Sequence, residues 1–109
     1  MITQLNKSNF SEFLSNSNEL LMILFYKEDC IHCSKMKAEL DDLSSKSAGP
    51  VLFGKINGKE EYELLDLYEI DSLPTLLFFI KGEKKECLEG YYPSLVIQAN
   101  QNKLLHLLS

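Results

Sequence analysis

Hydrophobic positions along the chain follow two patterns. Residues 20–26 (LLMILFY) are apolar throughout, and 75–80 (TLLFFI) nearly so. Both are of strand length, and the 20–26 run, without polar alternation, predicts a central strand buried on both faces. Between them, Cys33, Met36, Leu40 and Leu43 recur at helical spacing, which predicts a helix over 31–45 with one buried stripe. Gly49-Pro50 closes that helical region, and 51–56 is a second buried strand. Asn57-Gly58 then marks a turn, followed by an amphipathic helix over 60–67 with Leu64, Leu65 and Tyr68 inward. Strands at 75–80 and 84–89 flank Lys81-Gly82-Glu83 as a hairpin, and Pro93 suits the first turn of a last helix ending near Leu108. Before the first long strand, 2–5 reads as a short strand. A short helix at 9–14 can be capped by Ser8 or Asn9, with Phe10, Phe13 and Leu14 as its apolar face, and 15–18 is a loop. The order is β-α-β-α-β-α-β-β-α. The β-α-β units predict a parallel core and the hairpin an antiparallel edge. This is an α/β three-layer sandwich, with a mixed central sheet of four to five strands flanked by about four helices.

Composition narrows the function. The chain has 109 residues, enough for one domain over 1–109. Eleven basic against sixteen acidic residues give a net charge of −5, which argues against a nucleic-acid binder or a cationic membrane-surface protein. Residues 1–10 are polar and lack a basic start followed by an apolar stretch, and no apolar run approaches the roughly 20 residues a bilayer requires. The expectation is a cytoplasmic chain without a membrane partner; a processed form would leave an oxidising compartment open, given His32. Three cysteines are too few for a disulfide-stapled mini-protein, and the odd count leaves a pair plus a spare.

The pair is Cys30-Ile31-His32-Cys33, directly after the 20–26 strand and at the start of the 31–45 helix. A helix N-terminus presents unpaired N–H groups and a positive dipole end, both of which favour a thiolate. Cys30 at the tip is the candidate nucleophile. Cys33, one turn inside on the apolar stripe, is the candidate resolving sulfur. Plain buried thiols are one alternative. A zinc site is another, but Cys87, His32 and His106 do not make a second spaced ligand pair, so no metal is expected.

With these residues in place, the chain resembles the thioredoxin family over essentially its whole length. Leu73-Pro74-Thr75 is similar to that family's cis-proline segment. The resemblance implies that Pro74 is cis and faces the dithiol, and that Leu73 pairs with the main chain of an extended substrate. Gly82 matches the family's hairpin glycine, and Gly90 a later glycine that keeps the substrate surface open. Tyr91, next to Gly90, is a candidate substrate contact, with Tyr92 either beside it or in the core. The implied activity is thiol–disulfide oxidoreduction on protein disulfides. The redox-active Cys30–Cys33 disulfide would carry the electrons without a dissociable cofactor, in a monomer recharged by an external reductase or other redox partner.

Four departures from the family pattern matter. Ile31-His32 stands where thioredoxins carry Gly-Pro. A histidine before the second cysteine resembles disulfide isomerases and bacterial disulfide oxidases; as a cation, His32 would favour the Cys30 thiolate and a more oxidising couple. Glu28 and Asp29 precede Cys30 where thioredoxins place a tryptophan. One exposed carboxylate at about 7 Å in water opposes the thiolate by roughly 0.6 kcal/mol, and Tyr26 is expected to supply part of the missing aromatic docking surface. The family's buried acid falls at Leu24, while its lysine partner survives as Lys55, a proton acceptor for Cys33 only if its own pKa is depressed. Slow resolution of the mixed disulfide is expected. Finally, the helix proline of many members falls near Ala38, so this helix should be straighter.

The cytoplasmic expectation makes the protein a reductase, and His32 pulls towards an oxidase or isomerase. A weakly catalytic binding module, and a metal or iron–sulfur carrier across a dimer, complete the alternatives; Pro74 disfavours the carrier by crowding the metal position. Cys87 reads as a half-buried or exposed free thiol, His106 as a helix-end residue, and the acidic residues of 59–69 as a solvated face.

Overall fold

A computed structural model describes residues 2–15, 18–47 and 49–108. Strand β1 (Ile2–Gln4) and helix α1 (Phe10–Leu14) lead into β2 (Leu20–Tyr26), α2 (Ile31–Lys46) and β3 (Val51–Asn57). Helix α3 (Tyr62–Leu67), the hairpin β4 (Thr75–Ile80) and β5 (Glu83–Glu89), and α4 (Ser94–Leu105) complete the chain, with a 3₁₀ turn at His106–Leu108. Part of the loop predicted at 15–18 lies outside the described residues, at 16–17.

The five strands run in the order β1-β3-β2-β4-β5. The uninterrupted apolar sequence of β2 is explained by its place: it is the middle strand, fully buried along its length. Its side chains alternate between two cores. Met22, Leu24 and Tyr26 meet Cys33, Met36 and Leu40 of α2 and Ile97 and Leu104 of α4. Leu21, Ile23 and Phe25 meet Phe10 and Phe13 of α1 and Leu64 of α3. Helices therefore cover both faces, giving the three layers that the sequence predicts.

The sheet corrects one expectation. β1, β3 and β2 are parallel, but β4 already runs antiparallel to β2 from inside the sheet, so the antiparallel part is two strands and not one edge. The chain leaves β3 at Asn57 and enters β4 at Thr75 on the same end of the sheet, so β4 starts where β2 and β3 finish. A β-α-β pattern gives the alternation of elements and not the end at which a connection delivers the chain.

Local chemistry fits these elements. Lys81 (φ 53°) and Gly82 (φ 79°) both adopt left-handed backbone, forming the tight two-residue connection that matches strand twist. Asn9 sits at the N-cap of α1 but does not cap it with its side chain; its Oδ1 accepts from Asn6 N–H at 2.8 Å instead. Pro93 occupies the N-cap of α4, one position before the first turn. In both cases the helix starts one residue later than the pattern suggests.

Candidate active site

Four loops leave one end of the sheet. Pairing of Tyr26 with Asn57, Phe25 with Thr75 and Thr75 with Glu89 brings together the segments after β2, after β3, before β4 and after β5. In open α/β sheets, the carboxyl ends of parallel strands are where sites are built.

The first of these loops carries the dithiol. Asp29 takes left-handed backbone (φ 53°), and Cys30 returns to extended geometry as the N-cap of α2. Cys30 Sγ accepts the N–H of Cys33 at 3.2 Å, so a sulfur fills the capping place usually held by a side-chain oxygen. Cys30 and Cys33 form a disulfide with Cα atoms 5.2 Å apart. Cys30 is half-buried, whereas Cys33 is fully buried among Met36, Leu24 and Tyr26. The exposed and sealed sulfurs are thus distinguished by position on the first turn alone. Ile31 and His32 between them are exposed, Ile31 by 74%.

The third loop places Leu73 and Pro74. The Leu73–Pro74 peptide is cis, Pro74 is buried, and Leu73 packs against the same cluster as Cys30. Gly90 N–H donates to Pro74 O at 2.7 Å, with Gly90 at φ 90°, a conformation that suits a residue without a side chain. Tyr91 follows, 40% exposed, with its hydroxyl 3.4 Å from Glu39 Oε2. Partial desolvation and then the Glu39 carboxylate push the Tyr91 phenol up. Leu73, Pro74, Gly90 and Tyr91 therefore cluster at the dithiol end of the sheet.

Lys55 lies deeper. It pairs with Gln4 on one side and Leu24 on the other, half-buried on the face covered by α2, and among the described residues it makes no ion pair. Leu24 itself is fully buried, so the position beside Lys55 is apolar. Tyr26 requires a correction. It is 5% exposed, with its hydroxyl donating to Gln4 Oε1 at 3.2 Å and Lys37 Nζ 4.3 Å above its ring. Being the last inward residue of β2, it belongs to the core and offers no docking surface; the apolar group exposed beside the cysteines is Ile31. A groove of about 410 Å³ lined by Lys27, Glu28, Asp29, Asn57, Lys59 and Glu60 runs beside the same loop.

The sequence pattern did not single out Glu39. Its signal was present: it continues the 33, 36 series of α2, where a carboxylate on a buried stripe implies a polar partner. Cys87 lies on the opposite side of the sheet, half-buried against the cluster of α1 and α3. Among the described residues no three His, Cys, Asp or Glu side chains gather as a metal-holding group, and no helix is long and apolar enough to cross a membrane.

Comparison with known proteins agrees with this geometry. The sequence profile of the family described as Thioredoxin matches residues 1–103. A candidate protein disulfide-isomerase of Dictyostelium discoideum is 39% identical over 76% of this chain and 20% of its own length. A chloroplastic M-type thioredoxin of Spinacia oleracea is 30% identical over 95% of this chain and 58% of its own. A protein disulfide isomerase-like protein (1-3) of Arabidopsis thaliana is 34% identical over 82% of this chain and 15% of its own. The chain thus spans between about a seventh and just over half of these relatives. With its profile match, its five-stranded mixed sheet and its Cys30–Cys33 disulfide, the chain belongs to the thioredoxin family.

Proposed function

We propose that the protein is a thiol–disulfide oxidoreductase acting on protein disulfides, and that it works as a reductase. The observation that carries this reading is the pairing of a half-exposed Cys30 with a sealed Cys33 across one helical turn, with the Cys33 N–H aimed at Cys30 Sγ. That N–H and the helix end favour the Cys30 thiolate once the pair is reduced.

The reaction follows from the arrangement. The Cys30 thiolate attacks one sulfur of a substrate disulfide, forming a mixed disulfide and releasing the other substrate sulfur as thiolate. Cys33 loses its proton and attacks Cys30 Sγ, which releases the second substrate thiolate and leaves the Cys30–Cys33 disulfide. Two electrons pass from the dithiol to the substrate, so no dissociable cofactor takes part. Leu73 offers main-chain hydrogen bonds to an extended substrate beside Pro74, with Gly90 and Tyr91 forming the other wall. His32 tunes the Cys30 thiolate, and Lys55 is the candidate proton acceptor for Cys33. We place the protein in a reducing cytoplasm as a monomer, recharged by an external reductase.

Similarity to the M-type thioredoxin over nearly the whole chain supports the reductase direction. A second reading, oxidase or isomerase, is favoured by exposed His32 on the first turn of α2 and by the isomerase relatives. Two measurements test the proposal. Insulin disulfides should be reduced by dithiothreitol well above the uncatalysed rate; no excess rate overturns the enzyme reading and leaves a binding module. Glutathione titration of the Cys30–Cys33 couple should give a potential near about −270 mV; a value near about −180 mV would replace the reductase with an isomerase.

A further inference from the structure

We propose that Glu39 is a positioning residue that makes the site prefer extended polypeptide disulfides over small ones, by fixing the segment 90–93 along the dithiol helix. The proposal rests on the oxidoreductase reading of Cys30 and Cys33 and deepens it.

The segment between β5 and α4 has no regular structure, so its anchors decide where it lies. Gly90 N–H ties it to Pro74 O at 2.7 Å. Tyr92 N–H donates to Met36 Sδ at 3.4 Å, a weak acceptor. Glu39 supplies the charged anchor and holds both ends: Oε2 accepts from the Tyr91 hydroxyl at 3.4 Å and Oε1 from Ser94 N–H at 3.3 Å. Met36 and Glu39 are one helical turn apart on α2, continuing from Cys33. The segment therefore bridges two separately built parts of the site, the helix that carries the sulfurs and the loop that carries Pro74.

A small disulfide needs access to Cys30 alone. An extended chain must also fit between the Leu73–Pro74 loop and Tyr91, and the spacing of those walls depends on the anchors. Without Glu39, the segment would keep its tie to Pro74 but lose its charged hold on α2. Gly90, at φ 90° with nothing within 4 Å of where a Cβ would stand, is free to act as the pivot. Tyr91 would then leave its place against α2.

Glu39 also supplies the α4 N-terminus with an acceptor that Pro93 cannot provide, so a purely structural role is the competing account. Comparison of two substrates separates them. For Glu39→Ala, kcat/KM for insulin disulfides should fall about tenfold, carried by KM, because hydrogen bonds to a charged group are lost. The rate with a small aryl disulfide should stay within about twofold. Glu39→Gln, which keeps a carbonyl acceptor for Ser94 N–H, should recover most of the loss. Tyr91→Phe, which removes one hydroxyl and leaves α4 untouched, should show a smaller loss with the same substrate dependence. Equal losses on both substrates, or no loss on insulin, would overturn the proposal. Wild-type insulin reduction tests the dithiol reading itself; the ratio between substrates tests Glu39.

Discussion

Cys30 and Cys87 are both half-buried sulfurs near the sheet, and their surroundings differ in nearly every respect. Cys30 ends a loop at a helix N-terminus, where a backbone N–H points at its sulfur. Cys87 lies within an edge strand, and its neighbours Glu86 and Glu89 are acidic. Burial pushes the Cys87 thiol up, Glu89 and Glu86 add to that, and Lys84 opposes it. Cys30 also has a second sulfur one turn away, whereas the sheet stands between Cys87 and both of them. Burial alone therefore does not make a thiol reactive. Donors aimed at the sulfur, and a partner to accept it, are what distinguish the two positions.

The largest effect should come from exchanging the two sulfurs for oxygen. Cys30→Ser should reduce insulin-disulfide turnover by roughly a thousandfold or more, because a hydroxyl does not ionise at neutral pH. Cys87→Ser should leave the rate within about twofold. A large loss at Cys87 would break the comparison and assign the second thiol a part in the reaction.

A smaller effect should come from giving Cys33 the kind of neighbour that Cys87 has. Leu24 is fully buried on the face that holds Cys33, beside half-buried Lys55. In Leu24→Asp, a carboxylate there could accept the Cys33 proton through Lys55 or water, and resolution of the mixed disulfide should quicken about tenfold. Single-turnover reduction of a model disulfide, with acid quenching of the mixed species, measures it. Equal or slower resolution would mean that a carboxylate beside Cys33 opposes its ionisation, as Glu89 and Glu86 add to the effect of burial at Cys87.

Much of this contrast was legible in the sequence. Cys30 and Cys33 were placed by the strand before them and the stripe after them, because period and length are local properties. The antiparallel course of β4 was not legible. Apolar runs of strand length do not encode direction, and nothing local shows at which end of the sheet a connection delivers the chain. Tyr26 was misjudged for a related reason: its exposure depends on Lys37 and Gln4, which reach it from α2 and β1. Glu39 was missed because its partners lie more than fifty residues away, at Tyr91 and Ser94. Contacts along one element show in its pattern, and contacts between elements do not.

The smallest effect concerns Cys87 itself. With Cys30 and Cys33 held as the disulfide, Cys87 is the remaining thiol, so alkylation reports on it alone. Its rate–pH midpoint should lie above the usual cysteine value of about 8.5. Glu89→Gln should lower the midpoint by removing a nearby carboxylate, and Lys84→Gln should raise it. Stability should follow the same sign. A thiol that holds its proton more tightly when folded contributes stability below the unfolded value, and that contribution is lost as pH rises through the folded one. Tyr68, pushed up by burial among Phe10, Phe25 and Phe79, acts in the same direction at higher pH. Thermal melts should therefore weaken steadily above about pH 9, with Cys87→Ser reducing the first part of that loss. A midpoint at or below the usual cysteine value would show that carboxylates and burial do not control this sulfur, and the contrast with Cys30 would then reduce to the presence of Cys33.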